Sequence, residues 1–350
     1  MPQLICHAAE LPLRRVSAEV PRRASRRLRI AGALLYATAR QFLELAVWID
    51  KHHLVPIRAL VFVCRFADPL LYPLRPRRGT QLRPVTFRNF RAEWVWDKNT
   101  ADPNTSQKSA ILYLHGGGLI ACGLNSHRRH VARIARESGT VLLNVDYRQI
   151  PQAHVTETFE DCIEAYEYLL AQGFPAERIV IAGDSAGGGL AFSLALAARD
   201  RGMPMPGGIA AIAPWADYDP AKRIAHPNDH TDALIPARGY ALPVKWGMEI
   251  GGELDPAWSA VNHQMTGLPP VLIQVASTEV LRIDAEQLAQ RCAASGVPVT
   301  LQIWDRAFHV FQVAADLIPD ARQAVDDIAA FIRERIGAED VAAPEMRTPA

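Results

Sequence analysis

The stretch Ile179-Val180-Ile181-Ala182-Gly183-Asp184-Ser185-Ala186-Gly187-Gly188 decides the fold. An apolar, β-branched run stops at glycine, and a run of small helix-compatible residues follows. The order is strand, tight turn, helix, with Gly-x-Ser-x-Gly at the turn. So sharp a turn leaves almost no room for side chains at its flanks, which accounts for Gly183 and Gly187. It also pushes Ser185 into the open, beside the amide of Ala186 and a helix N-terminus.

A second motif lies 70 residues upstream, where Ile111-Leu112-Tyr113-Leu114 runs into His115-Gly116-Gly117-Gly118. Glycines there let the backbone turn its N–H groups toward a developing oxyanion, each such donor being worth about 3–4 kcal/mol on removal. A phosphate loop is the rival reading, but neither Gly-Lys-Ser/Thr nor a Gly-x-Gly-x-x-Gly after a first strand is present.

Outward from these motifs the chain alternates. Ala110–Leu114, Val141–Val145, Ile179–Ala182, Gly208–Ala213, Val271–Ala276 and Val299–Trp304 read as buried strands. Helices are expected over Ser126–Ser138, Thr156–Gln172, Ala186–Arg201, Ile283–Ser295 and Asp320–Ile336. This is an α/β chain with a mostly parallel central sheet and helices on both faces. Arg83–Phe87 and Ala92–Asp97 read as a preceding hairpin, and Asp217–Gly267 breaks the rhythm with a segment rich in Pro, Trp and His.

A nucleophilic serine needs a base, and the base an orienting carboxylate. His309 follows the last strand, at the end of the sheet where sites of open α/β folds collect. After Val271–Ala276 come Glu279, the first choice of acid, and Asp284, the second. The order serine, acid, histidine is that of the α/β-hydrolases.

With these residues in place, the chain resembles the bacterial hormone-sensitive-lipase family of α/β-hydrolases. The resemblance rests on His115–Gly118, on Gly183-Asp184-Ser185-Ala186-Gly187-Gly188, on Val145-Asp146-Tyr147-Arg148 and on Pro269-Pro270-Val271-Leu272-Ile273, and it covers about residues 80–336. It implies Ser185 as nucleophile, His309 as base, oxyanion amides from Gly117, Gly118 and Ala186, and a helical cap. Glu279 stands where many members have Asp, and Gln152 and Ala276 also depart from the usual pattern. The implied organisation is an N-terminal helical cap or extension at 1–78, a catalytic domain at 79–336 with a cap insertion near 217–262, and a disordered tail at 337–350. The implied reaction is hydrolysis of short- to medium-chain acyl esters through an acyl-enzyme. A lactonase or amidase with the same triad, and a non-catalytic binding protein of the same fold, are the alternatives. No metal or organic cofactor is called for.

Other residues have plainer readings. His115, Gly116 and Asp184 are expected to support the motifs, and Asp146 and Arg148 to brace the core. His127 and His130, three apart, are expected on an exposed helix face in preference to a zinc site. Cys122 reads as a packed thiol. Trp215, Tyr218, Tyr240, Trp246, Met248 and Trp258 are divided between acyl pocket and cap core.

Composition excludes other classes. The 350 residues are 49% hydrophobic with a net charge of +1, so neither disorder nor a uniformly basic nucleic-acid binder fits. The balance conceals a division: residues 1–100 carry 18 Lys and Arg against 7 Asp and Glu, and the rest carry 20 against 30. Five scattered cysteines without a Cys-x-x-Cys pair suit reduced thiols in the cytoplasm. Near the N-terminus, Ile30–Ala39, Gln41–Ile49 and Leu54–Cys64 read as amphipathic helices flanked by arginines, and no uncharged span there approaches the ~20 residues a transmembrane helix needs. They are expected to pack on the body, with contact to an anionic membrane as the second reading. The expected partner is a small-molecule ester and not a nucleic acid; a homodimer is left open.

Overall fold

The computed structural model describes residues 17–19, 23–55, 59, 68–72, 75–100, 102–104 and 109–337. Nine strands form one sheet: β1 (Ser17–Glu19), β2 (Thr80–Thr86), β3 (Arg91–Asp97), β4 (Ala110–Leu114), β5 (Val141–Asp146), β6 (Ile179–Asp184), β7 (Gly208–Ile212), β8 (Val271–Ala276) and β9 (Val299–Trp304). Their order is β1-β9-β8-β7-β6-β4-β5-β3-β2. Only the β2–β3 and β3–β5 pairs are antiparallel. Strands β4, β6, β7 and β8 are buried along their whole length, which is why they read as unbroken apolar runs instead of alternating ones.

Helices cover both faces. Val155–Ala171, Ala186–Asp200 and Arg282–Ala294 pack into one core, and Leu124–Ser138 and Pro319–Ile336 into the other. From β4 the chain moves outward to β5, then returns to β6 on the other side of β4 and proceeds to β7. The carboxyl ends of β4 and β6 therefore flank the point where the winding reverses, and a ligand crevice forms there in sheets of this kind. Between β7 and β8 lies a stretch of short helical pieces that includes Ala221–Ile224 and Ala241–Gly247.

The N-terminal region departs from expectation. One continuous helix runs from Arg26 to Lys51, long and apolar enough by length and composition alone to cross a membrane. A π turn over Tyr36–Arg40 joins its two parts in place of a break. Leu28 reaches the core, and Arg40 is buried against the segment following β7. Strand β1, parallel to β9, is too short to carry a period-two signal in the sequence. Apart from residues 54, 55 and 59, the apolar run 54–64 lies outside the described residues. So do Cys6, Cys64 and the tail beyond Gly337.

Candidate active site

Ser185 sits between β6 and its helix with φ 51° and ψ −118°, a sparsely populated conformation costing on the order of 1–3 kcal/mol. Its surroundings fix it there. The Ser185 amide donates to Ile212 O at 2.8 Å, and its carbonyl accepts from Trp215 N at 2.8 Å. A Cβ on Gly187 would lie 1.9 Å from Leu114 O, and one on Gly183 would lie 2.4 Å from Gly187 O. Both glycines are steric necessities of strand and helix meeting at this turn.

His309 leaves the loop after β9, followed by Val310 in the left-handed region (φ 53°). Its Nε2 lies 2.9 Å from Ser185 Oγ and its Nδ1 2.6 Å from Glu279 Oε2. The other oxygen of Glu279 accepts the Ala276 amide at 2.6 Å, which locks the carboxylate. Burial acts to lower the His309 pKa. The hydrogen bond and charge of Glu279, aided by Asp232 and Asp184, outweigh it and hold the imidazole above its ordinary value.

Asp284 has a different position. It is fully buried at the start of the helix Arg282–Ala294, with both oxygens 3.0 Å from Arg223 Nη1. One of them also accepts the amides of Ala216 and Asp217. The second choice of acid thus braces the chain after β7, and the histidine turns to Glu279.

At the oxyanion loop, Gly117 and Gly118 have φ +115° and +62°. The Gly116 amide is spent on Asp184 Oδ1 at 3.0 Å. Among the described residues, the amides of Gly117, Gly118 and Ala186 have no hydrogen-bond partner. Asp184 also accepts from Tyr113 OH at 2.8 Å and lies 3.2 Å from His127 Nε2. Burial would raise the Asp184 pKa, but the charge and hydrogen bond of His127 prevail, with His130 and Tyr113 adding, and hold it below the carboxylate range. His127 and His130 are both buried, contrary to the expected exposed face: His127 turns to this aspartate, and His130 packs edge-on against Tyr113 with ring centroids 5.9 Å apart. His115 stacks on Tyr147 with ring centroids 4.4 Å apart, and Tyr147 OH donates to His115 O. Asp146 binds Arg91, and Arg148 binds Asp161.

Three contributors escaped sequence reasoning. Asn228 donates to Ser277 O and Glu279 O, and Thr231 to Thr278 O. Asp232 accepts the Val280 amide at 2.9 Å; its own pKa is pushed up to about 6 by burial and by the Glu279 charge. Together they clasp the loop that carries Glu279. Their only sequence trace is a cluster of polar residues, Asn228 to Asp232, inside the interruption. On the far side of this segment Arg40 binds Asp229 and the Asp232 carbonyl, tying the N-terminal helix to it.

The site is covered: Ser185 is 4% and His309 6% exposed. Pro243 stands over Gly118, 3.8 Å from where a Cβ would be. Trp215, Tyr218, Tyr240 and Met248 are buried, with Trp215 packed on Tyr218 and Tyr240 at 5.0 and 5.6 Å. Trp246 and Trp258 are half-buried. Cys162 and Cys292 are buried free thiols. Among the described residues no cluster of three His, Cys, Asp or Glu could hold a metal.

The chain is similar to known proteins in fold and family. A family model described as alpha/beta hydrolase fold matches residues 111–313. Esterase LipU of Mycobacterium tuberculosis is 38% identical over 75% of this chain and 90% of its own. Carboxylesterase/phospholipase LipF of the same organism is 34% identical over 79% of this chain and 78% of its own. A crystal structure of EstE5 soaked with p-nitrophenyl butyrate superposes with a TM-score of 0.76 at 31% identity, covering 90% of this chain and all of that one.

Proposed function

Because this chain belongs to the α/β-hydrolase fold family, in its hormone-sensitive-lipase group, we propose that it is a serine carboxylic ester hydrolase. One observation carries the reading: Ser185, His309 and Glu279 are linked at 2.9 and 2.6 Å beside three uncommitted amides.

In the proposed reaction Ser185 Oγ attacks the ester carbonyl while its proton passes to His309 Nε2. Glu279 holds the ring by Nδ1 and stabilises the imidazolium that forms. The amides of Gly117, Gly118 and Ala186 receive the oxyanion. Collapse of this intermediate expels the alcohol, which takes its proton from His309, and leaves an acyl group on Ser185. Water, deprotonated by the same imidazole, then releases the acid and restores the serine. One ester and one water become one acid and one alcohol, with no cofactor in the balance.

The covered site and the aromatic packing around Trp215 and Tyr240 support short- to medium-chain acyl groups, presented to residues 79–336 under cap elements from 26–51 and 217–262. The butyrate ester soaked into the EstE5 crystal is the first substrate to try. Turnover of p-nitrophenyl butyrate that disappears in Ser185→Ala supports the proposal; turnover near the native rate in that variant overturns it. A lactone and amide panel separates the alternatives that use the same triad. Labelling of Ser185 by a fluorophosphonate distinguishes an enzyme from a binding protein.

A further inference from the structure

The outer face of the N-terminal helix is apolar where a helix in water would carry charge. Ile30, Leu34, Phe42, Leu45 and Trp48 each keep at least half of their surface exposed. The π turn over Tyr36–Arg40 contributes to this face. One inserted residue turns the following helix back by about 100°, which brings Phe42 and Leu45 to the side of Ile30 and Leu34.

The charges are arranged to match. Glu44 and Asp50 are the only acids between Arg26 and Lys51. Glu44 pairs with the buried Arg40, and Asp50 bonds Lys245 and Trp246. Arg23, Arg26 and Arg29 are exposed and form no ion pair with a described residue. Two of them lie in the first helical turn, where the helix dipole favours acids, so helix stability does not account for them.

We infer that this face is a docking surface for an anionic lipid bilayer. An exposed apolar stripe with aromatic residues and a basic margin is what an interfacial helix presents to lipid. The helix lies on the bilayer and does not cross it. Crossing would pull Arg40 from Asp229 and Asp50 from Lys245, and would place Arg40 and Glu44 in hydrocarbon, whereas lying flat preserves each of these bonds. A second copy of the chain fits less well, because this face offers no acid to receive another copy's arginines. The inference does not depend on the ester-hydrolase reading.

The test uses the full chain carrying Ser185→Ala, so that binding is read without turnover. It is centrifuged with vesicles of phosphatidylcholine alone and of phosphatidylcholine mixed with phosphatidylglycerol. Sedimentation with the mixed vesicles only is expected, weakening as salt rises. Phe42→Glu with Leu45→Glu should lower it about tenfold or more, and Arg26→Glu with Arg29→Glu by a similar factor. The Phe42/Leu45 pair should keep the circular-dichroism spectrum and thermal melting of the parent chain, which certifies its fold; if it does not fold, the arginine pair carries the test. No sedimentation with either vesicle, equal sedimentation with both, or binding unchanged in the variants would overturn the inference. A dimer in light scattering that the Phe42/Leu45 pair dissociates, without vesicle binding, would assign the face to a second copy.

Discussion

At the carboxyl ends of β6 and β8 every buried carboxylate is saturated. Asp184 takes Tyr113, Gly116 and His127, Glu279 takes Ala276 and His309, and Asp284 takes Arg223 and two amides. Along the N-terminal helix the inner side is anchored at Leu28, Arg40 and Asp50, while the outer side leaves large apolar groups in solvent. The first region is closed by its own chain. The second makes full physical sense only with something laid against it. The lesson is that a site complete in itself can be read from within, and a surface must be read from what it lacks.

The comparison can be broken by substitution. Ser185→Ala should cost the most, about a millionfold in kcat, because members of such a triad act as a unit. Glu279→Ala should lower kcat by about ten-thousandfold with the fold intact in circular dichroism. Asp284→Ala should do the reverse. It strands the buried Arg223 charge and removes about 3–5 kcal/mol from unfolding in urea, while kcat per folded molecule changes little. Reversal of these two results would exchange the roles of the carboxylates.

A pH profile sharpens the same point. In the proposed reaction the base must be neutral to accept the Ser185 proton, so activity is expected to rise with pH through the His309 pKa. That pKa is held above the ordinary imidazole value of 6.5, chiefly by Glu279 against the pull of burial. The acid limb of kcat/KM should therefore have its midpoint above 6.5. Removing negative charge with Glu279→Gln should move it to lower pH, and Asp232→Asn should move it the same way by less. The smallest effect belongs to the other region. Arg40→Ala should reduce kcat only a few-fold but lower stability by about 1–3 kcal/mol, read by thermal melting, as Asp229 and the Asp232 carbonyl lose their donor.

What was legible followed from locality. β4, β8 and β9 occupy the expected residues, since strands buried on both faces announce themselves as apolar runs. Ser185 and His309 could be located because glycine at a sharp turn and histidine after a late strand are local facts. Glu279 and Asp284 both follow β8, and nothing in the chain says that Arg223 claims one of them. The clasp from Asn228 to Asp232 joins residues about fifty apart, and Arg40 reaches nearly two hundred residues along the chain, so neither leaves a periodic trace. Arg40 stands between two apolar runs, where a charge at a break and a charge buried in an ion pair look alike in sequence. His127 and His130 read as exposed for a like reason: a histidine turned to a buried aspartate, or packed on a tyrosine ring, looks in sequence like one turned to water.

The three-residue strand β1 has a consequence for handling the protein. It lies along β9, which would otherwise be the rim of the sheet, with backbone donors and acceptors open to any passing strand. A chain shortened to begin at Arg26 would lose that cover together with the arginines that precede it. Its first symptom should be self-association through the bared edge, before any change at Ser185 could be measured.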